Sequence, residues 1–266
     1  MINLPKSIVF ITGAFISSNC WWEWKNYFEA KGYKCLAPCW PYKDAPPEDL
    51  RNRHPDTEIA SHRLSELLDY FSIITNASEE KPILVGHSLG GLIVQLLLQR
   101  GFGSAGIAIQ PFPPQGAGTF QFTFLKAWWN AIGLFTPDSE SHLVSFRKWK
   151  NAITNGLTCE QQKQTYYSHA IPESKLIIRD AFKSITRINF RKPHPPLLFT
   201  SGREDKMLSP ALVYNIYKKY TDEHSITVYK EFNNCNHLTF CSPTSMEVAE
   251  FILNWLQKLN ISIDHL

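Results

Sequence analysis

Gly86-His87-Ser88-Leu89-Gly90-Gly91 is the stretch of this chain that decides its fold. The apolar run Pro82–Val85 precedes it and the apolar, glycine-free run Leu92–Gln99 follows it, which predicts a strand, a sharp turn and a helix. The flanking glycines let a strand and a helix pass closely, since side chains there would collide. A serine at the centre of Gly-x-Ser-x-Gly in this context is a nucleophile elbow with an exposed hydroxyl. Ser88 is therefore a predicted nucleophile, and the alternative is a Gly-Ser turn without chemistry.

The composition is that of a folded, enzyme-sized domain. The chain has 266 residues, of which 44% are apolar and 19% are charged. These values exclude a disordered chain and suit one large α/β domain with a buried core. The formal net charge of +3 is small for this length, so we expect neither nucleic-acid binding nor strong attraction to a membrane surface. The high aromatic content suits both a filled core and an apolar ligand pocket.

Signals for export, membrane insertion and metal binding are missing from the sequence. Met1–Val9 lacks the basic start and apolar centre of a secretory signal. No stretch reaches the ~18 uninterrupted apolar residues of a membrane-spanning helix. The six cysteines follow no zinc-binding spacing. We therefore expect a reduced, cytoplasmic protein that uses no metal and no cofactor, with a disulfide left open at this stage.

Strands and helices are predicted to alternate along most of the chain. The predicted strands are Ser7–Thr12, Tyr33–Ala37, Pro82–Val85, Ala105–Ile109, Leu197–Ser201 and Ser225–Phe232. The predicted helices are Trp21–Ala30, Thr57–Thr75, Leu89–Arg100, Pro210–Tyr220 and Pro243–Leu259, with a long proline-marked loop before the second. This order indicates a mostly parallel sheet of about six strands with helices on its faces. Residues 111–195 interrupt it as a helical insert, predicted to form a cap over a core of residues 1–110 and 196–266.

A base and an acid for Ser88 are found after later strands, at the same edge of the predicted sheet. A serine hydroxyl is a weak nucleophile and needs a base, which in turn needs an orienting acid. His237 follows the last strand, whereas His224 precedes it and would lie at the opposite edge. Asp205 follows the strand before that and is the predicted acid, with the adjacent Glu204 as its competitor. The order Ser88, Asp205, His237 distinguishes this arrangement from other serine hydrolase triads.

With these residues in place, the chain resembles an α/β-hydrolase over nearly its whole length. It is similar to the compact members with six parallel strands and a helical cap, which include serine esterases, hydroxynitrile lyases and cofactor-free haloperoxidases. The family has His-Gly after its first strand here, where this chain has Thr12-Gly13-Ala14-Phe15. By position, the resemblance implies that the backbone amides of Ala14 and Leu89 form the oxyanion hole, with Phe15 as the alternative to Ala14. The change from histidine to threonine leaves that backbone donor in place.

The start of the insert resembles the entry to the cap in these enzymes and carries several large aromatic residues. Phe112, Trp128 and Trp129 from this region, together with Phe15, are predicted to line a substrate pocket, although packing within the cap is an alternative role for each. A roofed apolar pocket favours compact apolar substrates over polymers. The sequence thus predicts a serine hydrolase that acts on a small-molecule ester. A lyase with the same triad, or a receptor that binds a ligand and turns it over slowly, remains an alternative.

Overall fold

A six-stranded parallel β-sheet organises the protein, which we describe from a computed structural model covering residues 5–117 and 137–261. The strands are β1 (Ser7–Ile11), β2 (Lys34–Leu36), β3 (Ile83–His87), β4 (Ala105–Ile109), β5 (Leu197–Gly202) and β6 (Thr227–Phe232). Their order across the sheet is β2-β1-β3-β4-β5-β6, and every neighbouring pair is parallel. This matches the α/β-hydrolase fold expected from the sequence.

The strand order reverses direction between β1 and β3. From β1 the chain moves outward to β2, then returns to place β3 on the other side of β1. In open parallel sheets such a switch point leaves a crevice beyond the carboxyl ends of the strands, where ligands bind. The loop after β1 and the turn after β3, which holds Ser88, both lie at this point. The topology therefore puts the predicted nucleophile where an α/β protein has room for a ligand.

Helices cover the two faces of the sheet and fill much of the insert. They are α1 (Trp22–Glu29), α2 (Pro47–Asn52), α3 (Thr57–Ser61), α4 (Leu64–Asn76), α5 (Leu89–Gln99), α6 (Phe146–Lys148), α7 (Cys159–His169), α8 (Lys175–Asp180), α9 (Pro210–Tyr217) and α10 (Ser245–Ile261). Strands β3, β4 and β5 are buried along their whole length, as near-continuous apolar runs require. No helix in the ranges given above is both long and apolar enough to cross a bilayer.

The close packing of β3 on α5 explains the glycines of the opening motif. A Cβ atom on Gly86 would collide with the backbone of Gly90, and one on Gly90 would collide with the backbone of Ile11. Helix α5 is therefore drawn against both β1 and β3 at its first turn. Its residues from Leu89 to Leu98 are all buried, so this helix crosses the centre of the core.

The helix predicted over Thr57–Thr75 is wrong, because the structure has two helices there. Helix α3 ends at Ser61, and His62 and Arg63 are extended before α4 begins. The hydroxyl of Ser174 donates hydrogen bonds to the carbonyls of Ala60 and His62 at 3.0 and 2.7 Å. These carbonyls lie at the break and are satisfied from the insert, a partner that helical periodicity does not reveal.

The segment predicted as a long loop before residue 57 contains a short helix. Helix α2 begins at Pro47, and proline is well suited to the first position of a helix, where no backbone N–H is needed. This helix was not predicted because a cluster of prolines is typical of a loop. Leu50 is its buried residue and packs with Ile59 and Ile171 in a small apolar cluster beside the main core.

The described part of the insert contains helices α6, α7 and α8 and contacts the loops at the carboxyl edge of the sheet. Ala170 forms an antiparallel bridge with Ile16, just after β1. At the other end, the amide of Leu238, after β6, donates to the carbonyl of Ile153 at 3.1 Å. The insert thus reaches the loops that follow two strands on either side of Ser88. The predicted boundaries at residues 111 and 195 stay a prediction, and Trp128 and Trp129 lie outside the described residues.

Candidate active site

Ser88 occupies a strained turn between β3 and α5. Its backbone angles are φ 54° and ψ −117°, a positive-φ conformation that is uncommon for residues other than glycine. Four backbone hydrogen bonds hold it. Its amide donates to the Ile109 carbonyl at 2.9 Å, and its own carbonyl accepts from the amides of Gly91, Leu92 and Phe112 at 3.0, 3.3 and 2.9 Å. The side chain makes no capping hydrogen bond to the helix that it precedes. Its hydroxyl is left available for chemistry, as a nucleophile elbow requires.

Asp205 and His237 are in direct contact. Asp205 Oδ2 lies 2.8 Å from His237 Nδ1, and both side chains are almost fully buried. The second carboxylate oxygen accepts hydrogen bonds from the amides of Met207 and Leu208 at 2.7 and 2.9 Å. An ionised carboxylate only accepts, so Nδ1 carries the proton and Nε2 keeps a free lone pair in the neutral ring. The pair therefore has the tautomer that a general base needs at Nε2.

Glu204, the competing acid, is turned away from His237. Its Oε2 accepts a hydrogen bond from the amide of Cys235 at 2.8 Å, and its carbonyl accepts one from the Asn155 side chain at 2.8 Å. Arg203 and Glu204 lie in a turn closed by the hydrogen bond from the Asp205 amide to the Gly202 carbonyl at 3.1 Å, so the neighbouring side chains of Glu204 and Asp205 leave it in different directions. Glu204 thus ties the loop after β5 to the loop that carries His237.

His87 supports His237 from within the elbow itself. Its Nε2 donates to the His237 carbonyl at 2.7 Å, and the two rings lie 4.9 Å apart. Burial, and then the nearby His237, lowers the pKa of His87 well below its usual value. His87 therefore stays neutral and packs against His237 and Phe240. His87 thus combines packing with a hydrogen bond that the sequence did not indicate.

Gln110 is a supporting residue that the sequence analysis missed. At the end of β4 it has a positive φ of 43°, and its Nε2 donates to the carbonyl of Asn236 at 2.8 Å. Its Oε1 accepts from the hydroxyl of Thr239 at 2.6 Å. Its place directly after a predicted strand is the one sequence feature that could have pointed to it. Gln110 instead braces the His237 loop on both sides of the imidazole.

The backbone amides of Ala14 and Leu89 are the donors without an acceptor at the predicted oxyanion hole. Within the described ranges neither amide donates a hydrogen bond. Leu89 is the first residue of α5, where an amide has no partner in its own helix and the helix dipole favours negative charge. The Phe15 amide, the alternative donor, is already bonded to Glu173 Oε2 at 3.3 Å.

The two predicted pocket residues within the described ranges lie beside this site and are buried. The amide of Phe112 donates to the Ser88 carbonyl, and its ring contacts that of Phe182 at 5.2 Å. Phe15 follows Ala14, and its ring contacts His142 at 5.7 Å.

Residues 5–117 and 137–261 contain no group of three or more acidic, histidine or cysteine side chains arranged to hold a metal. The six cysteines are free thiols, of which Cys159 is exposed.

Solved structures with the same architecture include esterases, a lipase and a methylketone synthase. Polyneuridine aldehyde esterase superposes with a TM-score of 0.66 at 16% identity, covering 94% of this chain and 98% of its own. Methylketone synthase I from tomato gives 0.71 at 16% identity over 96% and 98% of the two chains. The monoacylglycerol lipase of Paleococcus ferrophilus gives 0.64 at 19% identity over 95% of each. At such identities the likeness shows the fold.

Sequence comparison supplies the family. Curated proteins give no match to this sequence. The family model described as "Alpha/beta hydrolase family" matches residues 8–247, which include the elbow, the insert and the loops that carry Asp205 and His237. Together with the six-stranded parallel sheet and its strand order, this match establishes that the chain belongs to the alpha/beta hydrolase family.

Proposed function

We propose that this protein is a serine hydrolase that cleaves a small or medium-sized apolar ester through an acyl-enzyme. The observation that carries the proposal is the joint placement of three groups at the carboxyl edge of the sheet. Ser88 has its hydroxyl free on a strained turn, and the Asp205–His237 pair is joined at 2.8 Å. The free Ala14 and Leu89 amides supply donors for a developing oxyanion. The esterase and lipase neighbours are consistent with this class of reaction.

In the proposed mechanism, Ser88 Oγ attacks the ester carbonyl carbon while His237 Nε2 accepts the serine proton. Asp205 holds Nδ1–H in place and stabilises the imidazolium that forms. The carbonyl oxygen becomes an oxyanion and accepts hydrogen bonds from Ala14 and Leu89. His237 then donates its proton to the leaving alcohol as the carbon–oxygen bond breaks. Water, activated by His237, attacks the acyl-enzyme in the same manner and releases the acid.

The proposed substrate is compact because the site is enclosed. Ser88 and His237 are 1% and 3% exposed, and the loops around them are covered by the insert. We propose that Phe15, next to Ala14, and Phe112, whose amide donates to the Ser88 carbonyl, line the pocket. Apolar ligand surface buried against them would stabilise binding by about 25 cal/mol per Å². We propose that Trp128 and Trp129 extend this pocket. Short- and medium-chain p-nitrophenyl esters should therefore react faster than long-chain triglycerides or peptides.

Ser88→Ala tests the proposed nucleophile directly. We expect this variant to lose ester hydrolysis down to the residual level left by binding and the oxyanion donors, on the order of a 10⁶-fold decrease in kcat. Ser104→Ala is the matched control, since Ser104 precedes β4 at the opposite edge of the sheet and its hydroxyl has no hydrogen-bond partner among the described residues. A folded Ser88→Ala protein with wild-type turnover would refute the assignment.

A mass measurement separates hydrolysis from lyase chemistry. In an acyl transfer, a rapidly quenched reaction with a p-nitrophenyl ester should show the mass of the protein increased by the acyl group on Ser88. A lyase with the same triad uses Ser88 and His237 for proton transfer and gives no such adduct with its substrate. Absence of the adduct under conditions where the ester is turned over would contradict the acyl-enzyme.

A further inference from the structure

An ion pair between Lys43 and Glu173 is buried beside the loop that carries Ala14. Lys43 Nζ lies 2.5 Å from Glu173 Oε1, and the two side chains are 4% and 0% exposed. Lys43 also lies over the ring of Trp40, 4.4 Å from its centroid. Neither charged residue was singled out by the sequence, and neither takes part in the mechanism above. Lys43 comes from the loop after β2, whereas Glu173 belongs to the insert.

The Glu173 carboxylate is shared between this ion pair and the loop after β1. Oε2 accepts a hydrogen bond from the Phe15 amide at 3.3 Å, and Oε1 accepts one from the Ser174 amide at 2.9 Å in addition to that from Lys43. Three donors therefore converge on one buried carboxylate. The contact from the Phe15 amide is the longest of the three and gives that amide an acceptor within the insert.

Phe15 needs such a restraint because its backbone is strained. Its φ of 67° lies in the left-handed region, which is unfavourable for an aromatic residue. The insert holds both of its backbone polar groups: Glu173 accepts from its amide, and the Ile171 amide donates to its carbonyl at 3.0 Å. The next residue, Ile16, forms the bridge with Ala170. The conformation at Phe15 fixes the direction of the peptide group before it, and with it the adjacent Ala14.

Electrostatics explains why the carboxylate is paired. The Glu173 carboxylate contacts Phe15, the residue next to the oxyanion donor Ala14. Without a cation beside it, its negative charge would oppose the negative charge that develops on the oxyanion in the transition state. Lys43 neutralises it at close range. Burial lowers the pKa of Lys43, while the charge of Glu173 opposes that shift. Buried ion pairs add little net stability compared with apolar packing, so the consequence of this pair lies in where it holds the loop.

We propose that Glu173 is a positioning residue of the oxyanion hole, with Lys43 as its neutralising partner. By occupying the Phe15 amide, Glu173 leaves Ala14 as the donor on this loop and fixes its direction relative to Leu89. Glu173 acts through the loop and has no contact with the reacting atoms. This inference rests on the proposed hydrolase function, because it concerns how the same site stabilises an oxyanion.

Three variants test the inference with a p-nitrophenyl ester. Glu173→Ala should lower kcat about 10- to 100-fold and change KM less than about threefold. A donor displaced by about 1 Å stabilises the transition state less well, whereas ground-state binding of the ester does not depend on it. Lys43→Met should also lower kcat, because it leaves an unpaired carboxylate near the oxyanion. Combining Lys43→Met with Glu173→Gln should return kcat to within about fivefold of wild type, since the amide oxygen of glutamine still accepts from Phe15 and no lone charge remains.

A pair of inhibitors distinguishes a positioning role of Glu173 from a purely structural one. A trifluoromethyl ketone forms an oxyanion adduct with an active serine, whereas the matching methyl ketone binds mainly as a ground-state analogue. Glu173→Ala should weaken binding of the trifluoromethyl ketone by about the factor by which it lowers kcat. Binding of the methyl ketone should stay within about twofold of wild type. If both inhibitors weaken equally, or kcat of the folded variant stays within twofold of wild type, the inference is overturned.

Asp56→Asn is the control for loss of a buried carboxylate. Asp56 is 7% exposed, accepts from the Ile59 amide at 3.0 Å and pairs with Arg53. Asparagine keeps the helix cap and loses only the ion pair, so the melting temperature should fall slightly and kcat should not change. An equal loss of kcat in this control overturns the inference. If Glu173→Ala does not fold, the recovery from Lys43→Met to the double variant decides the matter, and no recovery overturns the inference.

The two proposals fail in different ways. A wild-type protein without ester hydrolysis, or one in which Ser88→Ala retains it, defeats the hydrolase function. A wild-type protein that hydrolyses esters through Ser88 but is indifferent to Glu173 and Lys43 defeats the positioning role alone.

Discussion

Asp205 on the acid–base side and Phe15 on the oxyanion side are held in place by contacts of very different separation along the chain. On the acid–base side, Asp205 is fixed by amides two and three residues further on, at Met207 and Leu208. On the oxyanion side, Phe15 is fixed by Glu173, which lies 158 residues away. The Asp205 contacts to these amides form within one loop, while the Phe15 contact forms only when the insert packs against the core.

This difference means that the two sides respond to different perturbations. A change at Glu173 acts on the loop after β1, whereas the His237 loop contacts a different part of the insert, through the hydrogen bond from the Leu238 amide to the Ile153 carbonyl. A change in the loop after β5 acts on the base and leaves the loop after β1 as it is. The predictions that follow are ordered from the largest expected effect to the smallest.

Asp205→Asn should produce the largest effect on the acid–base side. Asparagine can donate to Nδ1 and so favours the wrong tautomer of His237, a change that typically costs about 10⁴-fold in kcat. Glu204→Gln is the matched comparison, because glutamine can still accept from the Cys235 amide, and we expect kcat within about threefold of wild type. Steady-state kinetics with one p-nitrophenyl ester measure both. Comparable losses from the two changes would point to a different carboxylate.

Thr12→Val should give an intermediate effect, on stability, at the start of the oxyanion loop. The indole Nε1–H of Trp21 donates to Thr12 Oγ1 at 3.0 Å, and both residues are buried. Valine leaves that N–H unsatisfied, which should lower the free energy of unfolding by about 1–3 kcal/mol. Denaturant unfolding measures the loss.

Two companion variants sharpen this test of Thr12. Thr12→Ser keeps the hydroxyl and should retain most of the stability. Adding Trp21→Phe to Thr12→Val removes the unsatisfied donor, and its cost should be smaller than the sum of the two single changes. Simple additivity would show that the hydrogen bond does not brace this loop.

The smallest expected effect is an acid sensitivity confined to the oxyanion side. Burial, followed by the charges of Lys148, Lys175 and His54, lowers the pKa of His142 to about 4, and burial lowers that of His169 to about 4. Both lie beside this loop, since His142 contacts the Phe15 ring and the His169 carbonyl accepts from the Ser17 amide. Between about pH 6.5 and pH 4 the unfolded chain binds protons that the native protein does not, so stability should fall as pH falls through that window.

Unfolding curves over this pH range measure the effect. Replacing both histidines, with His142→Gln and His169→Gln, should flatten the decline. An unchanged slope in the double variant would show that the acid sensitivity arises elsewhere in the protein.

Much of the sheet and the order of the site residues could be read from local pattern. The runs around Ser88 and in β4 and β5 were predicted within a residue or two, because strands buried on both faces are continuously apolar. The break at His62 could not be predicted, because its carbonyl is satisfied by Ser174 from the insert. Helix α2 was not predicted, because the prolines at its start are more typical of a loop.

The sequence by itself determined the elbow at Ser88, the parallel sheet and the placement of Asp205 and His237 after successive strands. These features follow from short-range rules: glycines at a close crossing, apolar periodicity, and the shared edge at which parallel strands end. Only the tertiary structure decided that Glu204 faces away, that Gln110 braces the His237 loop and that Glu173 holds Phe15. The physical reason is that a buried polar side chain is satisfied by whichever partner the packed chain brings within 3 Å or so, and that partner is set by the fold as a whole.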